Sequence, residues 1–183
     1  MNFKIYQVDA FTNEIFHGNP ACVIQLENWL SNDILLNIAQ ENGVSETAFF
    51  IIKENSIDLR WFTPDIEIDL CGHATLATAH ILKTIIQYPL NKIIFNTMSG
   101  NLIVECRDGF YFLDLPSRKA IQAPLPIEIN KSLNIQPEEV YKARDYMLIY
   151  KKQSDIENII INRYFFDQIN LGYGGVIFTS IGN

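Results

Sequence analysis

The 183-residue sequence predicts an α+β fold in which a mixed, β-barrel-like sheet curls around one central helix, with a smaller unit following it. Three observations predict it. In residues 72–86, Ala74, Leu76, Ala77, Ala79, Ile81, Leu82, Ile85 and Ile86 cover nearly the whole circumference of a helix, so that helix must be buried on most sides. Strand-like segments stand both before and after it. Residues 116–126, PSRKAIQAPLP, hold three of the seven prolines and no periodicity, which marks a linker between a domain of residues 1–116 and a second of residues 117–183. Two-layer α+β packing is the alternative arrangement.

The elements follow in order. Residues 2–10 alternate and are rich in Phe, Ile, Tyr and Val, as a strand requires; EIFHGNP then breaks the chain at Gly18 and Pro20 before a second strand over 21–26. Ser31 is placed to cap a helix whose apolar positions Ile34, Leu35 and Ile38 share a face, and Gly43 sits where a left-handed cap would end it. Strands are expected at 44–52 and 57–63, then a short extended piece before Cys71 and the apolar helix, which Pro89 closes off. Strands at 92–97, 101–106 and 110–115 follow, joined by MSGN and RDG turns. Beyond the linker a helix near 126–134, a strand near 145–150, a helix over 155–169 and a strand near 174–180 are expected. That last strand is apolar and has no further element to cover it.

Composition excludes several function classes. Hydrophobic residues make up 48% of the chain, enough for a sizeable core, yet no stretch approaches a membrane span. The N-terminus lacks the basic region and apolar core of a secretory signal, so a cytoplasmic location is expected. Fourteen basic against 21 acidic residues give a net charge of −7, which repels nucleic acid and anionic membranes. Cys22, Cys71 and Cys106 form no C-x-x-C pair and no disulfide framework.

Chemistry concentrates in three stretches. In GVSETAFF, strand periodicity puts Val44, Glu46, Ala48 and Phe50 on one face, so a single carboxylate lies in an apolar row. Buried, it would have its pKa raised toward neutrality and could give and take protons; otherwise it is a strand-edge glutamate in water. In CGHATLATAH, Gly72 permits close backbone approach, and the first-turn amides over Gly72, His73, Ala74 and Thr75, at the positive end of the helix dipole, favour a carboxylate or oxyanion. Thr75 offers a hydroxyl and His73 a proton donor or shuttle. Cys71 is either a thiolate activated by the helix start or a buried inert thiol. Cys71 with His73 makes only two ligands, so no metal is expected, and His80 reads as a satisfied core histidine. In FHGNPACV, Gly18, Asn19 and Pro20 form a second loop able to approach a ligand, or simple punctuation.

Taken together and in order, VDAFTNEIFHGNPACVI, ENGVSETAFF and RWFTPDIEIDLCGHATLATAH resemble the phenazine-biosynthesis PhzF-like family, within the diaminopimelate epimerase-like fold. The resemblance continues through FNTMSGNLIVECRDGFYFLDLP and, more weakly, to GGVIFTSIG. It implies two similar domains, each a barrel-like sheet around a central helix, with a cleft between them, and an isomerisation by proton movement between carbons of a small carboxylate without cofactor. It assigns the acid/base role to Glu46, a catalytic histidine to His73, and cleft wall to the loop of Gly18, Asn19 and Pro20. Related epimerases use two opposed thiols; Cys71 stands at the first of those positions, but Cys106 lies in no suitable motif, so the glutamate mechanism ranks higher.

Family chains continue past the GGVIFT-like strand to a DPVTGSAH-like motif on the opposing wall, so this chain is expected to be shorter by roughly a third, with an incomplete second domain. Three functional expectations follow: an isomerase acting through Glu46; a truncated chain, inactive or needing a complementing C-terminal half; and an interaction module pairing through the strand after residue 174. A homodimer is implied by the resemblance alone.

Overall fold

The computed structural model describes residues 2–172 and 174–182. The chain divides into two compact units, Met1–Leu115 and Pro116–Asn183. The first is an eight-stranded mixed sheet wrapped on a helix. Its path runs β1 (Ile5–Ala10), β2 (Asn19–Gln25), β3 (Glu46–Ile52), β4 (Ile57–Phe62), β6 (Lys92–Thr97), β7 (Gly100–Arg107) and β8 (Phe110–Asp114), with the short β5 (Glu67–Ile68) paired to β4. Most neighbours are antiparallel, but β2 and β3 run parallel with Ala21 opposite Glu46, and so do β4 and β6.

The central helix α2 (Gly72–Thr84) is buried along its length. Ala74, Ala77, Ala79, Ile81 and Leu82 pack against an inward row from the strands that includes Val23, Phe50, Leu59, Trp61, Phe95 and Val104. The alanines let sheet and helix approach closely, and the large residues come from the sheet. The helix is two residues shorter than its apolar pattern suggests: Ile85 and Ile86 both donate to the Ile81 carbonyl, and Gln87 turns left-handed at φ 59°.

The opposite face of β2–β4 is covered too. Helix α1 (Asn32–Asn42) sets Leu35 and Ala39 against Ile24, Phe49, Ile51 and Phe62. Strand β3 is therefore apolar on both faces from Thr47's neighbour Ala48 onward, and Phe49 meets Phe62 edge-on at 5.7 Å. Ser31 occupies the expected cap position without a side-chain bond, while Gly43 takes φ 64° and its amide bonds the Ala39 carbonyl. Arg60 ties this layer together: it grips Glu67 at 2.6 and 2.7 Å, reaches Asn32 Oδ1 at 2.7 Å and lies over Trp29 and Phe62.

The second unit holds β9 (Ile121–Gln122), α3 (Ile127–Ser132), β10 (Glu139–Lys142), β11 (Tyr146–Tyr150), α4 (Gln153–Glu157), α5 (Arg163–Phe166) and β12 (Val176–Ser180). The strands lie in the order β12-β11-β10-β9, with β11 and β12 parallel, around Ile129, Leu133, Val140, Leu148 and Tyr150. The expected linker thus contains a short strand, and β10 has too little apolar alternation to stand out. The expected helix over 155–169 is two short ones. The backbone between them is drawn off to other partners: Ile160 N donates to Asn134 Oδ1, Asn162 N donates to the Ser132 carbonyl, and Ile161 bridges Leu133. Asn162 then caps α5 by accepting from Tyr164 N at 3.1 Å.

Gly18 and Gly43 give a test of the loops that position these elements. Gly18 has φ 85°, and a Cβ there would come 2.5 Å from the Ala10 carbonyl oxygen, whereas at Gly43 a Cβ meets nothing within 4 Å. Gly43→Ala should cost about 1 kcal/mol from its left-handed backbone alone. Gly18→Ala should cost about 2 kcal/mol or more and disturb the β1–β2 hairpin, as read from urea midpoints of the two variants.

Candidate active site

Glu46 begins β3 on the face that continues with Ala48 and Phe50, both fully buried against α2. It is the polar end of that row, next to the start of α2. Cys71 stands at the N-cap in extended conformation, without an aligned capping bond, and His73 follows in the first turn. Three motifs distant in sequence meet there. His73 Nε2 lies 3.1 Å from Glu46 Oε2, and the two side chains are only 9% and 18% exposed. His73 Nδ1 lies 3.4 Å from Cys71 Sγ. The Ser45 hydroxyl lies 3.2 Å from both Asn19 Oδ1 and the Pro20 carbonyl, and 3.5 Å from His73 Nε2. Asn19, Glu46 and His73 are thereby in one place.

Glu46 corrects one expectation. Burial alone would raise its pKa, but contact with His73 lowers it further than burial lifts it, with the Ser45 hydroxyl helping, so the carboxyl is held below its ordinary value of 4.5. The contact is close without being well directed: Oε2 is shut off from solvent, and the distance to Nε2 is that of a hydrogen bond while the alignment is not. The resting group is a half-buried carboxylate beside the His73 ring, not a carboxylic acid poised near neutrality.

Cys71 behaves in the opposite sense. It is 6% exposed, and burial, reinforced by the Glu46 charge, pushes its thiol up to about 12; the amides of Ala74 and His73 pull the other way more weakly. It is a protonated thiol at any ordinary pH, which removes the activated-thiolate reading. Glu46, Cys71 and His73 do place one donor atom each within 4.8 Å of one another, a closer approach to a metal set than Cys71 and His73 alone. His73, however, turns one ring nitrogen to each of the other two, so it links them instead of sharing a vacancy with them.

The amide bed is narrower than the sequence suggests. Thr75 is fully buried; its hydroxyl donates to the Cys71 carbonyl at 2.5 Å and its amide to the same oxygen at 3.3 Å, so it offers an incoming ligand neither group. Ala74 is likewise fully buried, its side chain in the core. Gly72 alone in this turn keeps appreciable surface. A Cβ on it would meet Leu115 and Leu113 only at ordinary contact distances of 3.7 and 3.8 Å, so internal packing does not demand a glycine there. His80 sits lower on the helix with Nδ1 3.2 Å from the Tyr111 hydroxyl, and takes no part in the site. Ser45 gives no signal in the sequence, because an exposed serine beside a glutamate has no periodic pattern, and only the parallel β2–β3 register sets it against Asn19.

Because the folded pKa of Glu46 lies below its unfolded value, the stabilisation it carries is complete above about pH 4.5 and is lost as the pH falls through the lower, folded value. Glu46→Gln removes that ionisation. The stability gap between wild type and this variant, measured by urea unfolding, should therefore change as the pH is taken below about 4.5.

Comparison with known proteins places this arrangement. The family model described as phenazine biosynthesis-like protein matches residues 8–157. An uncharacterised isomerase of Pseudomonas aeruginosa is 40% identical over 156 residues, covering 85% of this chain and 60% of that protein. One from Halalkalibacterium halodurans is 39% identical over 183 residues, covering 98% and 68%. The chain thus spans about 60% of the length of the first of these curated relatives. Among solved structures, a PhzF-family phenazine biosynthesis protein from Enterococcus faecalis superposes with a TM-score of 0.85 at 40% identity, covering all of this chain and 70% of that one. The curled sheet, its enclosed helix and these similarities have one reading: the chain belongs to the phenazine biosynthesis-like PhzF family, an α+β fold whose named relatives include isomerases.

Proposed function

We propose that this chain carries the proton-transferring part of an isomerase that acts, without cofactor, at carbon of a small carboxylate-bearing metabolite. The observation that supports the reading most is the Glu46–His73 pair at 3.1 Å beside the start of α2. Glu46 rests ionised and can accept a proton from carbon. A substrate carboxylate arriving at the Gly72 end brings a like charge close, which raises the Glu46 pKa and strengthens it as a base. The positive end of the helix dipole and the Gly72 backbone favour the negative charge that develops as the proton leaves.

A single base on one side suits movement of a proton between two carbons on the same face. Inversion at one carbon needs a second base opposite, and a Cys71 thiol pushed up to about 12 is not equipped for the two-thiol version. In this reading Asn19, held by Ser45, and the Gly72 backbone orient the substrate, and His73 steadies the carboxylate of Glu46. Glu46→Gln should cut carbon-proton exchange by about 100-fold or more while leaving ligand binding within a few-fold. Deuterium uptake by NMR, over a panel of small hydroxylated and amino-substituted cyclic carboxylates, measures it; equal exchange by the variant would overturn the assignment.

A second reading, association with a partner or a second copy by strand addition, is favoured by one feature: β12 ends its sheet and Ile177 is 46% exposed. Ile177→Pro should then abolish association in sedimentation, with unit folding preserved by circular dichroism.

A further inference from the structure

Cys71 is the group at the site that the proton-transfer reading leaves unused. It is buried to 6% exposure, and its sulfur lies 3.4 Å from His73 Nδ1 while the far ring nitrogen lies 3.1 Å from Glu46. An imidazole between a thiol and a carboxylate has two neutral tautomers, and the partners decide between them. A carboxylate accepts only, so it favours a proton on Nε2; a thiol that keeps its hydrogen is a donor, so it favours a bare Nδ1. Both partners favour the same tautomer, but the Glu46 contact is not aligned as a hydrogen bond, so the sulfur, which meets Nδ1 in hydrogen-bonding geometry, is the partner that decides. The sulfur is also anchored: Cys71 begins α2, its carbonyl holds Thr75 through both amide and hydroxyl, and Thr75 is fully buried.

We propose that Cys71 is a positioning residue, its S–H donating to His73 Nδ1 and so fixing the ring as the Nε2-protonated tautomer that faces Glu46. The assignment deepens the proton-transfer reading and gives the cysteine a role that requires neither a thiolate nor a metal. The retention of hydrogen on sulfur agrees with the upward push that burial and Glu46 give its pKa. Serine is the conservative replacement, since it donates from the same position; alanine removes the donor.

The test does not depend on turnover. Nitrogen-15 spectra of the histidine rings, at about pH 8 where free imidazole is neutral, separate protonated from bare ring nitrogens. The wild-type chain should show His73 with the proton on Nε2. Cys71→Ser should keep that pattern, and Cys71→Ala should shift His73 toward a tautomer mixture while His17 and His80 stay unchanged. A wild-type His73 protonated on Nδ1, or on both nitrogens, overturns the proposal, and so does an alanine variant with an unaltered His73 signature. Should the alanine variant fail to fold, the wild-type and serine spectra still decide. Where exchange activity is found, alanine should lower the rate by about tenfold and serine restore most of it. Loss of the Glu46 role would leave the tautomer result standing, so the two readings fail separately.

Discussion

Enclosure of α2 by the curled sheet is the constraint from which the rest follows. A helix buried on every side but the stripe of Gly72, Leu76, His80 and Lys83 cannot shift or rotate without opening contacts to several strands, so its first turn is fixed relative to the strand ends around it. The small residues along α2 allow close approach, and Val23, Phe50, Leu59, Trp61, Phe95 and Val104 fill the space from the sheet side. What results is a rigid polar end to an apolar cylinder: a row of the sheet that is fully buried at Ala48 and Phe50 ends in Glu46, and the helix that fills the cylinder presents His73 beside it. Fixing both partners on regular elements holds a carboxylate and an imidazole 3.1 Å apart with little solvent to loosen them.

The two ionisable neighbours of His73 are driven in opposite directions by one microenvironment. Burial acts on both, yet Glu46 gains a nitrogen partner that outweighs it, while Cys71 feels burial and the Glu46 charge together. Charge therefore collects on the carboxylate and hydrogen stays on sulfur. This separation of roles distinguishes the site from one built on opposed thiols, and it arises from placement on the inner strand row and at the helix cap.

Much of the fold was legible because its signals are periodic. The all-round apolar pattern of residues 72–86 announces an enclosed helix, and the strand boundaries of the first unit follow from turns and alternation. What escaped was decided by tertiary partners. The pattern over 155–169 reads as one helix until Asn134, Ser132 and Leu133 claim the backbone at 160–162. At the site, Glu46, His73, Asn19 and Gly72 could be picked out from their motifs, but the downward pKa shift of Glu46 could not, because it depends on a contact between residues 27 positions apart in the chain. Thr75 illustrates the converse: its type suits ligand binding, and local geometry commits both of its donors to the Cys71 carbonyl.

The parallel pairing of β2 with β3 sets Ala21 opposite Glu46 and Cys22 opposite Thr47. Side chains alternate faces along a strand, so the loop between α1 and β3 also decides which residue of the run Ser45, Glu46, Thr47 looks inward. Lengthening or shortening that loop by one residue, with the strand slipping to compensate, would not move the carboxylate a few ångströms; it would exchange it for a hydroxyl. The connection at residues 43–45 thus sets both parity and reach: an odd slip turns the carboxylate to the other face, and an even one keeps the face but carries Glu46 about 7 Å along the strand, away from His73.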